Sequence, residues 1–202
     1  VLMAIVGFVG YRNIDVGAKV LGALLILEVV AIVALSVAVF GKGGAHGIDF
    51  VSFTPTTFFS GSPGIAMMFA IGSFVGFEAT AIYSEEARNP KRTVPVATYT
   101  AIIVIGVLYA VASWAVVLAY GSNEVSAAAN QDTANLTFNA AAQYLSPAAA
   151  DTMAIMLVTS LFATLLAFHS AIARYLFALA RRGYAPARLA AIVDWEMTTI
   201  GD

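Results

Sequence analysis

The sequence has 202 residues, of which 60% are hydrophobic and only 11% are charged, and its mean hydropathy is +0.87. Soluble domains have about half apolar and about a quarter charged residues, so this composition excludes a soluble fold. The net charge of -2 creates no field that would attract a nucleic acid. The absence of cysteine excludes disulfides, thiolate nucleophiles and cysteine-bound zinc.

Long apolar runs determine the predicted fold class. A partial span covers residues 1–10, and four further spans are predicted near 18–40, 63–86, 94–120 and 148–178. A run of about 20 apolar residues lets an α-helix cross a bilayer core of about 30 Å. A β-barrel would instead show short segments of alternating polarity. The sequence therefore predicts an all-α polytopic membrane protein.

The spans are grouped into one partial transmembrane domain over residues 1–189, followed by an atypical tail at 190–202. The chain opens at Val1 inside an apolar run and without a methionine, so it is expected to be a fragment. Gly183, with a proline shortly after it, signals a helix end. A short surface helix is expected near 137–144.

Basic residues predict the orientation, because Lys and Arg near span ends are biased toward the cytoplasm. If alternate loops share one side of the membrane, nine basic residues lie together and only Lys42 lies opposite. Loops 11–17, 87–93 and 181–202 are then predicted to be cytoplasmic. The nine residues are Arg12, Lys19, Arg88, Lys91, Arg92, Arg174, Arg181, Arg182 and Arg188.

The centre of the span near 63–86 reads GSFVGFE over Gly72–Glu78. Two glycines around a serine at mid-depth predict a break in the helix, and non-helical backbone is tolerated there only if it is buried in protein or lines a cavity. Transporters use such breaks to bind substrate. Close packing through small residues explains the same Gly-xxx-Gly spacing, so the spacing alone leaves both interpretations open.

Glu28 is the second feature of interest, because it follows Lys19 by nine residues. That is about 13 Å along a helix that rises about 1.5 Å per residue, which is close to mid-membrane. Ionisable groups at that depth usually mark ion or proton pathways, and an isolated charge there is costly. Glu28 is therefore predicted to take up a proton during transport. The alternative is a protonated Glu28 that only hydrogen-bonds a neighbouring helix.

Several stretches resemble the amino acid-polyamine-organocation (APC) permeases. Ala70–Pro95, which contains GFE and EEARNPKRTVP, is similar to the family's sixth helix and the cytoplasmic loop after it. Arg174–Pro186 resembles the end of the eighth helix, and Gly17–Gly41 resembles the fifth. The resemblance implies two inverted five-helix repeats whose first and sixth helices are broken around a central site. This chain would hold the end of helix four and helices five to eight.

The resemblance also implies a substrate site. In the family, carbonyls freed in the sixth helix accept hydrogen bonds from the substrate's α-ammonium group, while the first helix holds the carboxylate. Many relatives carry an aromatic gate at the position that Gly72 occupies here, which suggests Phe74 as a replacement lid and room for a larger substrate side chain. An aromatic from another helix would fill that room equally well. The expected substrate-binding residues are Gly72, Ser73, Phe74, Val75 and Gly76.

Three titratable residues have implied coupling or structural roles. Glu28 lies where several proton-coupled relatives place a Lys, so the charge is reversed. Glu78 is matched by an acidic residue across much of the family, which favours bracing of the sixth helix over proton coupling. His169 lies where relatives often carry Asn, which favours a helix-to-helix hydrogen bond over a proton relay.

Together these features predict a secondary active transporter of amino acids or related amines that works across the cell membrane by alternating access, with proton coupling as a further hypothesis. An amino-acid or amine exchanger and a non-transporting membrane subunit of the same fold are the alternatives. An intramembrane enzyme is disfavoured, since the chain has no cysteine and its two histidines are far apart. The expected partners are the bilayer, the substrate and protons, with no cofactor or metal.

Overall fold

A computed structural model describes residues 14–77, 89–184 and 186. Within these ranges the chain is helical and contains no strand, which confirms the all-α fold class. The chain divides into two packing units, one formed by residues 28–155 and the other by the described residues on either side of them. The predicted span at 1–10, Glu78 and the tail at 190–202 lie outside the described residues.

The described helices are numbered here in chain order. Proline is the first residue of four of them, because its fixed φ suits the first helical turn, where no amide partner is needed. The short helix expected near 137–144 is confirmed as α6. The elements are α1 (Ile14–Lys42), a one-turn 3-10 helix (Val51–Phe53), α2 (Pro55–Ser60), α3 (Pro63–Gly72), α4 (Pro90–Tyr120), α5 (Val125–Gln131), α6 (Leu136–Tyr144) and α7 (Pro147–Arg181).

Three of the described helices are long and apolar enough to cross a membrane: α1 over Gly22–Lys42, α4 and α7. Their apolar side chains are largely exposed, with Ile26, Val104 and Ile155 at 66%, 58% and 67%. Faces of this kind suit lipid or further helices. With 10 residues, α3 is too short to span, because a crossing needs about 20.

A small core forms where α1, α4 and α6 meet. Leu35 and Val39 of α1 and Leu118 of α4 are almost fully buried there, together with alanines of α4 and α6. Small residues let helix backbones approach closely. The hydroxyl of Tyr144 donates to the carbonyl of Ala119 at 3.1 Å, which ties α6 to the C-terminal end of α4. The buried alanines are Ala115, Ala119, Ala140 and Ala141.

The loop that follows α1 is fastened to the same end of α4 by hydrogen bonds. The amide of Ala45 donates to the carbonyl of Leu118 at 2.9 Å. The hydroxyl of Ser122 donates to both carboxylate oxygens of Asp49, at 2.7 and 2.9 Å. The indole of Trp114 donates to the carbonyl of Asp49 at 3.2 Å. This loop and the end of α4 therefore form one packed substructure.

Aromatic rings reinforce this attachment. The ring of Trp114 has Phe40, Phe50 and Phe53 around it, at centroid distances of 5.0, 5.1 and 5.3 Å. Such tilted and edge-on pairs contribute about 0.5–1.5 kcal/mol each beyond the area they bury. The 3-10 helix is thereby held beside α4.

The end of α7, in the other unit, follows the expected helix-stop signal. Gly183 has a φ of 78°, and its amide donates to the carbonyl of Ala180 at 3.1 Å. The next amide, of Tyr184, donates to the carbonyl of Leu179 at 3.0 Å. This pair of bonds is the Schellman motif, which favours glycine because its φ is positive. The prediction that Gly183 ends a helix is confirmed.

Candidate functional site

The predicted break coincides with the end of α3. The helix ends at Gly72, and the chain continues as a turn over Ser73–Phe77. The amide of Phe74 donates to the carbonyl of Ile71 at 3.1 Å, and that of Val75 donates to Gly72 at 3.2 Å. These bonds span three residues instead of the four of an α-helix, so the chain leaves helical geometry here.

Two carbonyl oxygens in this turn are available to a ligand. Within residues 14–77 and 89–184, the carbonyls of Ser73 and Val75 accept no hydrogen bond. Ser73 and Val75 are both exposed residues within the described part of the chain, Val75 at 66%. An unpaired backbone carbonyl in a nonpolar medium costs free energy until a donor reaches it. The turn therefore provides two acceptors for a donor from outside this part of the chain.

Gly72, at the end of α3, and Gly76, in the turn, serve different purposes. Gly76 has a φ of 106°, a conformation that side-chain-bearing residues rarely adopt. Gly72 is helical, and a Cβ added there would meet no other atom of the described residues within 4 Å. This open space does not support the alternative in which Gly72 permits close helix packing within the described residues. The need for glycine at position 76 is conformational.

Phe74 is turned toward α4. Its ring lies edge-on to the ring of Tyr109, with centroids 5.9 Å apart and planes inclined by 69°. A Cβ added at Gly106 would lie 3.5 Å from the Cζ atom of Phe74, so the ring also covers the bare backbone at Gly106. The lid role suggested for Phe74 stays a prediction, and in this structure its ring is packed on α4.

No described contact links Glu28 or His169 to this turn. Glu28 is half-buried on α1 and makes no hydrogen bond or ion pair with another described residue. His169 is exposed on α7, and no described residue hydrogen-bonds it. Glu78 lies outside the described residues. The roles assigned to these three residues stay predictions. In the described part of the chain, no group of His, Asp and Glu could hold a metal ion.

A contact between His46 and Glu124 near the C-terminal end of α4 was not predicted from the sequence. His46 Nε2 lies 3.2 Å from Glu124 Oε1, across 78 residues of sequence. Both side chains are exposed, at 61% and 69%, so this pair contributes little free energy. No local pattern links the two positions, and only the docking of the loop on α4 brings them together. The contacts of Phe74 with Gly106 and Tyr109 were missed for the same reason.

The described residues define a multi-pass α-helical membrane protein, with a short apolar helix that ends in a glycine-containing turn. Residues 1–198 match the amino acid permease family, so the chain belongs to that family, whose members are transport proteins. The APC permease resemblance is thereby confirmed. A similar protein is amino acid transporter protein 6 of Caenorhabditis elegans, with 32% identity over 129 residues.

The alignment with that relative covers 63% of this chain but only 23% of the relative. The aligned part of the chain thus corresponds to less than a quarter of the relative's length. No solved structure matches the chain significantly.

Proposed function

We propose that this chain forms part of a secondary active transporter, which moves amino acids or related amines across the cell membrane by alternating access. The observation that carries the proposal is the turn at the end of α3, where the carbonyls of Ser73 and Val75 lack donors within the described residues. Membership of the amino acid permease family supports it.

The electrostatics of the turn suit an ammonium group. The C-terminal end of a helix carries a partial negative charge of about half an elementary charge, so the end of α3 at Gly72 attracts cations. An alkylammonium group has three N–H donors and no acceptor, which matches carbonyl oxygens. Hydrogen bonds to a charged group contribute about 1.5–3 kcal/mol each. Ser73 and Val75 would thus select the charge that amino acids and amines share.

The length of α3 supports a site deep in the membrane. Its 10 residues rise about 15 Å at about 1.5 Å per residue, which is half of a bilayer core of about 30 Å. If Pro63 lies at the membrane surface, Gly72 lies near the midplane. Substrate sites of transporters with broken helices lie at that depth. Such a site is reached from either side by a modest movement of the surrounding helices.

The bias of basic residues supports a location of loops 11–17, 87–93 and 181–202 in the cytoplasm. In that orientation α3 begins on the external side, and the substrate meets the turn Ser73–Phe77 from outside when the site is open to that side. Protonation of Glu28 remains our hypothesis for the coupling of transport to pH.

The experiment is uptake and counterflow of labelled amino acids and amines by the full-length permease in liposomes. Gly76→Ala places a side chain on a residue whose φ is 106°. If the backbone keeps this conformation, the strain costs about 1–3 kcal/mol. If the backbone changes conformation, the carbonyls of the turn are displaced. We expect Gly76→Ala to lose substrate binding. Gly64→Ala is the matched control, since Gly64 is helical in α3 and a Cβ there meets open space.

Absence of both uptake and counterflow by correctly inserted wild-type protein, across the panel, would overturn the proposal and favour a non-transporting subunit. Wild-type affinity in Gly76→Ala would separately contradict the assignment of the turn as the site. Counterflow without net uptake would indicate an exchanger.

A further inference from the structure

The turn after α3 and the middle of α4 are joined by an aromatic contact. The Phe74 ring lies edge-on to Tyr109 at 5.9 Å between centroids. Edge-to-face pairs are favourable at centroid distances of about 4.5–7 Å. Phe74 is half-buried, whereas Tyr109 is 43% exposed. Tyr109 is therefore the more exposed of the two rings.

Gly106 and Tyr109 form the packing site for the Phe74 ring on one face of α4. They are three residues apart in a helix, so they are neighbours on its surface. A Cβ added at Gly106 would lie 3.5 Å from the Cζ atom of Phe74, which is an ordinary van der Waals distance. The ring is thus placed over the Cβ position of Gly106 and beside Tyr109.

The backbone of Phe74 connects this packing site to the carbonyls of Ser73 and Val75. Its amide donates to Ile71 at 3.1 Å, and its carbonyl accepts from the amide of Phe77 at 3.3 Å. Ser73 and Val75 are its neighbours in the chain. Rotation about χ1 and χ2 alone would take the ring off α4. Contacts that keep the ring on α4 therefore also restrain the Cβ of Phe74 and the main-chain angles beside it, on which the directions of the two carbonyls depend.

We propose that Tyr109 is a positioning residue for substrate binding. Together with Gly106 it fixes the Phe74 side chain on α4, and the fixed Phe74 holds the carbonyls of Ser73 and Val75 in the orientation that receives the ammonium group. Tyr109 acts through Phe74 and needs no contact with the substrate. This inference rests on the proposed function for the use of the carbonyls, but the geometry it claims can be tested without substrate.

Four single variants of the full-length permease separate positioning from a general loss of fold. Tyr109→Ala removes the edge contact, and we expect a rise in KM of about three- to tenfold, with the maximal rate per inserted protein changed by less than about twofold. Tyr109→Phe keeps the ring and loses only a hydroxyl that has no hydrogen-bond partner among the described residues, so it should behave as wild type.

The pair of variants at Gly106 provides a matched steric test. Gly106→Ala adds a Cβ at ordinary van der Waals distance from Phe74, and its KM should remain within about twofold of wild type. Gly106→Leu occupies the place of the ring and should raise KM as Tyr109→Ala does.

A double-mutant cycle tests whether Tyr109 acts through Phe74. In a Phe74→Ala background no ring remains to be held, so adding Tyr109→Ala should change KM by less than about twofold. If the two substitutions instead multiply their effects on KM, Tyr109 acts independently of Phe74 and the inference is overturned.

Hydrogen exchange of the substrate-free protein keeps this test separate from the proposed function. Peptides that contain the amides of Phe74 and Val75 should exchange faster in Tyr109→Ala than in wild type, and at the wild-type rate in Tyr109→Phe. Equal exchange in all three proteins would overturn the inference even if transport is observed. Faster exchange in Tyr109→Ala alone would uphold the positioning of the turn even if the wild type transported none of the panel, a result that would refute only the proposed function.

Discussion

Gly121 offers the sharpest test of how the loop after α1 is held against α4. It follows the last residue of α4 with φ 91° and ψ 137°, which only glycine adopts without strain. A Cβ there would also lie 2.5 Å from Cδ2 of His46. Gly121→Ala thus meets two obstacles, an unfavourable backbone conformation and a steric overlap with the imidazole.

The backbone obstacle is the larger of the two. A side-chain-bearing residue in such a region costs about 1–3 kcal/mol. The overlap can be relieved by rotating the exposed His46 ring, at the expense of its contact with Glu124, and exposed ion pairs contribute about 0–1 kcal/mol. We therefore expect Gly121→Ala to lower the free energy of unfolding by about 1–3 kcal/mol, most of which comes from φ.

The assay is thermal or denaturant unfolding of the full-length permease in detergent. Gly41→Ala is the control, because Gly41 is helical and open, and alanine there should be neutral or stabilising. Adding His46→Ala to Gly121→Ala removes the steric overlap but not the backbone strain at position 121. The double variant should therefore recover only a minor part of the lost free energy of unfolding. A Gly121→Ala protein as stable as Gly41→Ala, or full recovery in the double variant, would refute this reasoning.

Two further predictions concern orientation and coupling. Cysteines introduced at Ser62 and Asn123, both exposed, should react with a membrane-impermeant thiol reagent in intact cells, whereas a cysteine at Thr93 should not. Labelling of Thr93 from outside would reverse the proposed orientation. Glu28→Gln should flatten the dependence of initial uptake rate on pH between about pH 5 and about pH 8, because a neutral amide cannot exchange a proton. Superimposable profiles of wild type and variant would leave Glu28 with a packing role alone.

Helix ends were predictable where a single residue type controls the backbone. Gly183 ends α7 because glycine tolerates a positive φ, and the glycine-rich stretch at Gly72 coincides with the end of α3. The predicted start near residue 94 was late, since α4 begins at Pro90. Proline favours the first helical position, and Pro90 occupies that position here. Likewise, α2 escaped prediction although Thr54 and Pro55 are a good helix start.

Tertiary contacts were not predictable, and the reason is the uniform polarity of the helices. A soluble helix shows which face is buried by its alternation of apolar and polar residues. The sequence of α4 is apolar on all sides over most of its length, so no pattern selects the face that carries Gly106 and Tyr109 or the one that carries Trp114. The partners of these residues, such as Phe74 and Asp49, lie in segments that are distant in sequence. Their identity follows only from the folded chain.

The packing of α3 explains why the proposed site must be tested in the full-length permease. No residue of this helix is buried, and Met67, Met68 and Phe69 are 57%, 62% and 68% exposed. The 10 residues of α3 are too few to cross a bilayer, so the helix needs contacts beyond those described. In a bilayer, the Ser73 and Val75 carbonyls must also find donors. Both requirements are met at once if neighbouring helices cover α3 and leave a cavity at its C-terminal end, where an ammonium group can bind.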